Sequence, residues 1–143
     1  MVEITLGSVL AYLGLGTLGL GLAGSAIGLS VAGSAACGMR NEKRSEGIAV
    51  SVLPGTQGLY SFAVGFLCLT ALEEGRFLTV FACGLLTGIA CLVSGWYQGA
   101  VCAAGIKSIN QDRMGVAQAI LLAVFPEFYA ILALAFSALL LFR

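Results

Sequence analysis

The chain has 143 residues, of which 59% are hydrophobic and only 10% charged, with a net charge of zero and no histidine. A water-soluble domain of this length carries far more charge on its surface. The balanced charge also leaves no basic groove for nucleic acid, so partners of that class are excluded.

A bilayer core about 30 Å thick needs roughly 20 helical residues to cross it. In chain order, four stretches qualify: about Leu6–Gly38, Gly47–Leu72, Phe77–Ile106 and Met114–Phe142. The expectation is an all-α integral membrane protein with four transmembrane helices. Fully helical, the first stretch would span roughly 50 Å, longer than a simple crossing. It lacks a basic leader, and its apolar run is too long for the core of a signal peptide, so it reads as a span.

Charged residues fall between these stretches. Arg40, Glu42, Lys43, Arg44 and Glu46 form one group, Glu73, Glu74 and Arg76 a second, and Lys107, Asp112 and Arg113 a third. The loops at 39–46 and 107–113 lie on one side and hold most of the lysine and arginine. The positive-inside rule places them in the cytoplasm and both termini outside.

Two tandem hairpins are expected, 1–72 and 77–143. Each runs apolar helix, basic loop, apolar helix with one proline, and Pro54 and Pro126 are the two prolines of the chain. The separations Gly28–Pro54 and Gly99–Pro126 are nearly equal, as in an internal duplication that places equivalent residues at equivalent depths. The first helix is rich in glycine, including Gly14, Gly21, Gly24 and Gly28. Glycine on several faces suits a crowded setting such as the inner wall of a symmetric ring.

Five cysteines, Cys37, Cys68, Cys83, Cys91 and Cys102, form no CxxC pair. They read as small packing residues rather than zinc ligands or disulfide partners.

Glu127 breaks the apolar pattern. It lies near the centre of MGVAQAILLAVFPEFYAILALAFSALLLF, directly after Pro126. A carboxylate at mid-bilayer costs roughly 2.5–3.5 kcal/mol on insertion scales, and such residues mark ion pathways. Pro54 is followed by Gly55 instead, so the first hairpin carries no membrane carboxylate. Thr56 and Gln57 stand close behind it.

Depths counted from the cytoplasmic ends bring Gln57, Gln98 and Glu127 to roughly 15, 14 and 20 Å, close enough for one layer. Each proline removes a backbone donor and loosens the helix nearby, freeing the carbonyls of Val50 and Leu122. A carboxylate, two amide oxygens and a hydroxyl suit a hard monovalent cation. Equally, the two glutamines could serve as helix glue, with Glu127 carrying a proton. Tyr60 and Tyr129 lie in the apolar middle, where their hydroxyls need partners, and Glu127 is the obvious acceptor.

Three blocks in order carry a resemblance: Leu53-Pro54-Gly55-Thr56-Gln57-Gly58-Leu59-Tyr60, Gln98-Gly99 with Ala103-Ala104-Gly105-Ile106, and Pro126-Glu127-Phe128-Tyr129-Ala130-Ile131-Leu132. The chain resembles the membrane proteolipid (c or K subunit) of V-type and archaeal-type rotary ATPases, over essentially all four helices. The resemblance implies a ring of identical subunits, turning against a stator subunit that supplies an arginine and seated on a central stalk by loops 39–46 and 107–113. By motif, the sodium-binding members imply Leu53, Thr56, Gln57, Gln98 and Glu127 as Na+ ligands, with Tyr60 hydrogen-bonded to the carboxylate. Phe125 before the proline, and Trp96-Tyr97 before Gln98, depart from that pattern.

The function implied is Na+ translocation on Glu127 coupled to ATP hydrolysis or synthesis, with H+ as the alternative ion. A small secondary transporter or a membrane scaffold are the readings from other classes. No Walker loop or histidine base is present, so no catalysis is expected in the chain itself. A prokaryotic plasma membrane suits the expected orientation.

Overall fold

A computed structural model describes residues 5–143, and every regular element among them is helical. Four helices are long and apolar enough to cross a membrane: Leu6–Cys37, Asn41–Glu73, Phe77–Asn110 and Val116–Leu141, called α1 to α4 below. With their apolar surfaces they define an integral, multi-pass membrane protein.

α1 begins at Thr5, whose hydroxyl accepts the Ser8 amide at 3.2 Å while the Ser8 hydroxyl accepts the Thr5 amide at 3.0 Å. This reciprocal cap satisfies two donors that a helix start leaves free. The helix turns tightly at Leu18, where the Thr17 hydroxyl donates to the Gly14 carbonyl at 2.7 Å. Glycine and back-bonding hydroxyls are recognised causes of such bends.

α2 starts earlier than the hydrophobic pattern predicts. A 3-10 turn at Asn41–Lys43 runs into helix from Arg44, so charged residues expected in a loop form its first turns. Hydropathy marks where a helix meets lipid, not where its hydrogen bonding begins. Pro54 then interrupts α2 with a second 3-10 turn, Leu53–Gly55, before helix resumes at Thr56. In α4 the outcome is different: helix runs unbroken through Pro126. The expected loosening at proline therefore takes a visible form at Pro54 alone.

α3 is the axis of the molecule and extends to Asn110, past the Ile106 expected from hydropathy. Its small residues meet those of α1 backbone to backbone. A Cβ on Gly84 would collide with the Gly14 carbonyl, and one on Gly99 would collide with the Gly28 backbone. In lipid, such close approach supplies the packing that a hydrophobic drive cannot. One glycine face of α1 is thus used within the chain. Gly16, Gly19 and Gly33 have open space around them.

Both connections on the α3 side end in the same backbone device. After α2, Gly75 takes φ 76°, the Arg76 amide reaches the Ala71 carbonyl at 2.9 Å and Gly75 reaches Leu72 at 3.1 Å. After α3, Asp112 takes φ 58°, with Arg113 bonded to Ser108 at 3.0 Å and Asp112 to Ile109 at 3.1 Å. These paired bonds are Schellman motifs, which favour glycine because the left-handed residue otherwise carries a Cβ penalty. Asp112 bears that penalty while its carboxylate pairs with Lys43 and Arg40 of the other loop. The two basic loops therefore lie together at one end of the bundle.

At the opposite end, Arg76 donates to the carbonyls of Leu140 and Leu141 at 2.7 Å each, closing the end of α4. Two apolar clusters fill the interior, one around Ile106 and Val50 and the other around Val64 and Val80. All five cysteines are free thiols, and all but Cys37 are buried.

Candidate ion-binding site

Between the two apolar clusters the helices bring a single polar layer together. Glu127 of α4 accepts two hydrogen bonds, one at each carboxylate oxygen. The Tyr60 hydroxyl of α2 donates to Oε1 at 2.7 Å, and Gln98 Nε2 of α3 donates to Oε2 at 3.0 Å. Hydrogen bonds to a carboxylate belong to the stronger, charge-assisted class, so these two donors hold the group in one orientation.

Gln98 is fully buried, and its amide nitrogen also donates to the Ala123 carbonyl at 2.9 Å. Its oxygen accepts from Gln57 Nε2 at 2.7 Å. Gln57, fully buried as well, donates a second bond to Ser94 Oγ at 3.1 Å. Ser94 in turn donates to the Pro126 carbonyl at 2.8 Å. The chain of bonds thus closes on the residue preceding Glu127.

One atom of this network is left over. Gln57 Oε1 is buried and has no hydrogen-bond partner among the described residues. A buried amide oxygen without a partner carries a desolvation cost of about 1–3 kcal/mol, so it calls for a specific explanation.

Of the residues singled out in the sequence, Gln57, Tyr60, Gln98 and Glu127 join one hydrogen-bonded network. Thr56 and Leu53 stand at the α2 break, where the Thr56 hydroxyl donates to the Leu53 carbonyl at 3.2 Å. That break follows from Pro54, which cannot donate to the preceding turn. Its other consequence is a helix start inside the membrane, capped from α1: the Gly58 amide donates to Ser25 Oγ at 2.7 Å.

Tyr129 departs from expectation. It is 69% exposed and makes no bond to Glu127, because two residues along a helix turn a side chain roughly 200° away. Ser94 is the residue of this layer that sequence reading missed. The signal was its position one turn before Gln98, on the same helix face.

Glu127 itself is only partly buried, and the adjoining Phe128 is exposed and apolar. The carboxylate is therefore held by the bundle on a residue that is itself partly exposed.

Four apolar helices around a buried amide network and one membrane carboxylate define an ion-handling membrane protein. The family model for the C subunit of ATP synthase matches residues 81–140, which include Gln98 and Glu127. The V-type sodium ATPase subunit K of Enterococcus hirae is 34% identical over 131 residues, 82% of this chain and 80% of the relative. The A-type ATP synthase subunit K of Methanocaldococcus jannaschii is 36% identical over 141 residues, 96% of this chain. This chain spans 62% of that relative's length. The chain belongs to the proteolipid subunits of V/A-type ATPases.

Proposed function

We propose that this chain is a rotor-ring subunit that binds and carries Na+ on Glu127. The supporting observation is the orphaned Gln57 Oε1, on a side chain linked through Gln98 to a carboxylate whose two oxygens already accept donors. A cation supplies what both groups lack, charge for the carboxylate and a partner for the amide oxygen. A proton would satisfy only the first. The Leu53 carbonyl, Thr56, Gln57, Gln98 and Glu127 are the ligand set in this reading, and Tyr60 orients the carboxylate. The Enterococcus hirae relative, named as a sodium ATPase subunit, supports Na+ as cargo.

In this reading identical copies form a ring, and Gly16, Gly19 and Gly33, open in the single chain, are where neighbouring copies approach. The partly exposed flank of Glu127 meets a stator subunit whose arginine displaces the ion. The joined loops at 39–46 and 107–113 seat the central stalk on the cytoplasmic side, with both termini outside a prokaryotic plasma membrane. The two hairpins, 1–72 and 77–143, descend from one duplicated unit, of which the second alone keeps a membrane carboxylate. ATP is made or hydrolysed elsewhere in the complex.

The test is chemical labelling. A carbodiimide reacts with the protonated carboxyl, so it should modify Glu127 in the assembled ring and be blocked by Na+ at neutral pH. Replacing Gln57 or Gln98 with leucine should weaken Na+ protection more than it changes the response to pH, because a proton needs Glu127 alone. Labelling that follows pH and ignores Na+ would establish H+ as the cargo.

A further inference from the structure

We infer that Ser94 is a positioning residue that sets the cation affinity of the site, by holding the Gln57 amide with its oxygen free. The inference rests on the Na+ reading above and extends it to a residue outside the ligand set.

The direction of every bond in the network follows from its two ends. Ala123 and Pro126 contribute backbone carbonyls, which can only accept. Gln98 must therefore turn its nitrogen toward Ala123, and that leaves its oxygen facing Gln57. Ser94 must give its single hydrogen to Pro126, and that leaves Oγ as an acceptor toward Gln57. Gln57 consequently faces two acceptors, Gln98 Oε1 and Ser94 Oγ. It meets both with the two hydrogens of Nε2, and its oxygen has to point away. The orphaned Oε1 is thus imposed by the network, and Ser94 supplies half of the constraint.

Ser94 is 4% exposed and has no contact with the carboxylate among the described hydrogen bonds. Its effect passes through Gln57 and through the Pro126 carbonyl. The latter ties α3 to α4 at the residue next to Glu127. Without the hydroxyl, one Gln57 amide hydrogen loses its partner and the Pro126 carbonyl loses its tie to α3. The Gln57 amide then keeps a single anchor and can swing, so its oxygen is no longer presented to the ion. Proton binding on Glu127 makes no use of that oxygen.

Carbodiimide labelling of Glu127 in the assembled ring separates the possibilities. Ser94→Ala should raise the Na+ concentration giving half-protection about tenfold, the effect of losing the buried bond that anchors the Gln57 amide. Ser94→Cys keeps the volume but hydrogen-bonds weakly, and should shift protection in the same direction if the alanine variant does not assemble. Ser94→Thr keeps the hydroxyl and should restore protection to within about threefold, on the same bond arithmetic. In Na+-free medium the pH profile of labelling should match wild type in all three. Wild-type Na+ protection in both the alanine and cysteine variants overturns the inference. So does a shifted Na+-free pH profile, which would mark a general structural role. Absence of Na+ protection in wild type, seen before any variant is made, overturns the Na+ reading and this inference with it.

Discussion

The Tyr60 hydroxyl on α2 lies 2.7 Å from Glu127 Oε1 on α4, and it links two helices that are far apart in the chain. Tyr60→Phe removes this donor and leaves the ring in place. One charge-assisted hydrogen bond contributes about 1.5–3 kcal/mol. The variant should therefore need roughly ten- to a hundredfold more Na+ to protect Glu127, measured as labelling against Na+ concentration. An unchanged protection curve would mean that Tyr60 does not steady the ion-binding form.

The α1–α3 contact should be intolerant of a single methyl group. A Cβ on Gly99 would press into the Gly28 backbone, and backbone cannot yield as a flexible side chain can. Gly99→Ala should destabilise the chain by about 1–3 kcal/mol, the usual range for overpacking. Thermal unfolding in detergent measures this, with Gly33→Ala as the comparison. Gly33 has open space within one chain, so the isolated subunit should tolerate that change.

A bulkier residue at the same position tests assembly instead of folding. Gly33→Phe should leave the helical content of the subunit intact but reduce ring formation, read by native mass spectrometry. Rings of wild-type mass and abundance would show that neighbouring copies do not approach at Gly33.

The loop clasp depends on charge. Hydrogen bonds from Lys43, then Arg40, hold the Asp112 carboxyl below its ordinary range. A carboxyl depressed in the folded state stabilises it above the unfolded value, and that contribution is lost as pH falls through the folded one. The clasp should accordingly be intact at neutral pH and open in acid below the ordinary carboxylate range. Asp112→Asn should open it at neutral pH. Amide exchange at 39–46 and 107–113 would report both, rising together in each case.

At the other end, Arg76→Gln removes a side chain that donates to the last carbonyls of α4. Faster exchange should appear near the end of α4, with Na+ protection of Glu127 unaltered. Loss of protection would show that the end of α4 is coupled to the site at its centre.

Much of the molecule is legible from local pattern. Apolar length marks the four spans, because the bilayer imposes that length on any helix that crosses it. The cost of a lone carboxylate singles out Glu127, and helical rise alone puts Gln57 and Gln98 near its depth. The start of α2 is less legible, since Arg44 and Glu46 are polar by composition and helical by hydrogen bonding. Tyr129 shows the limit of depth, which says nothing of direction: it shares the level of Glu127 and faces away.

By itself, then, the sequence determined that four apolar helices form, that the basic loops share one end, and that one carboxylate lies among neutral oxygens. Those properties follow from composition and the fixed rise of a helix. The tertiary structure alone decided which faces meet and which way each hydrogen bond runs. It turned the Gly99 face of α3 onto Gly28, brought Asp112 to Lys43, and placed Ser94 between Gln57 and Pro126. Bond direction depends on which groups can only accept. The Ala123 and Pro126 carbonyls acquire that control over Gln57 only when α2, α3 and α4 are packed together.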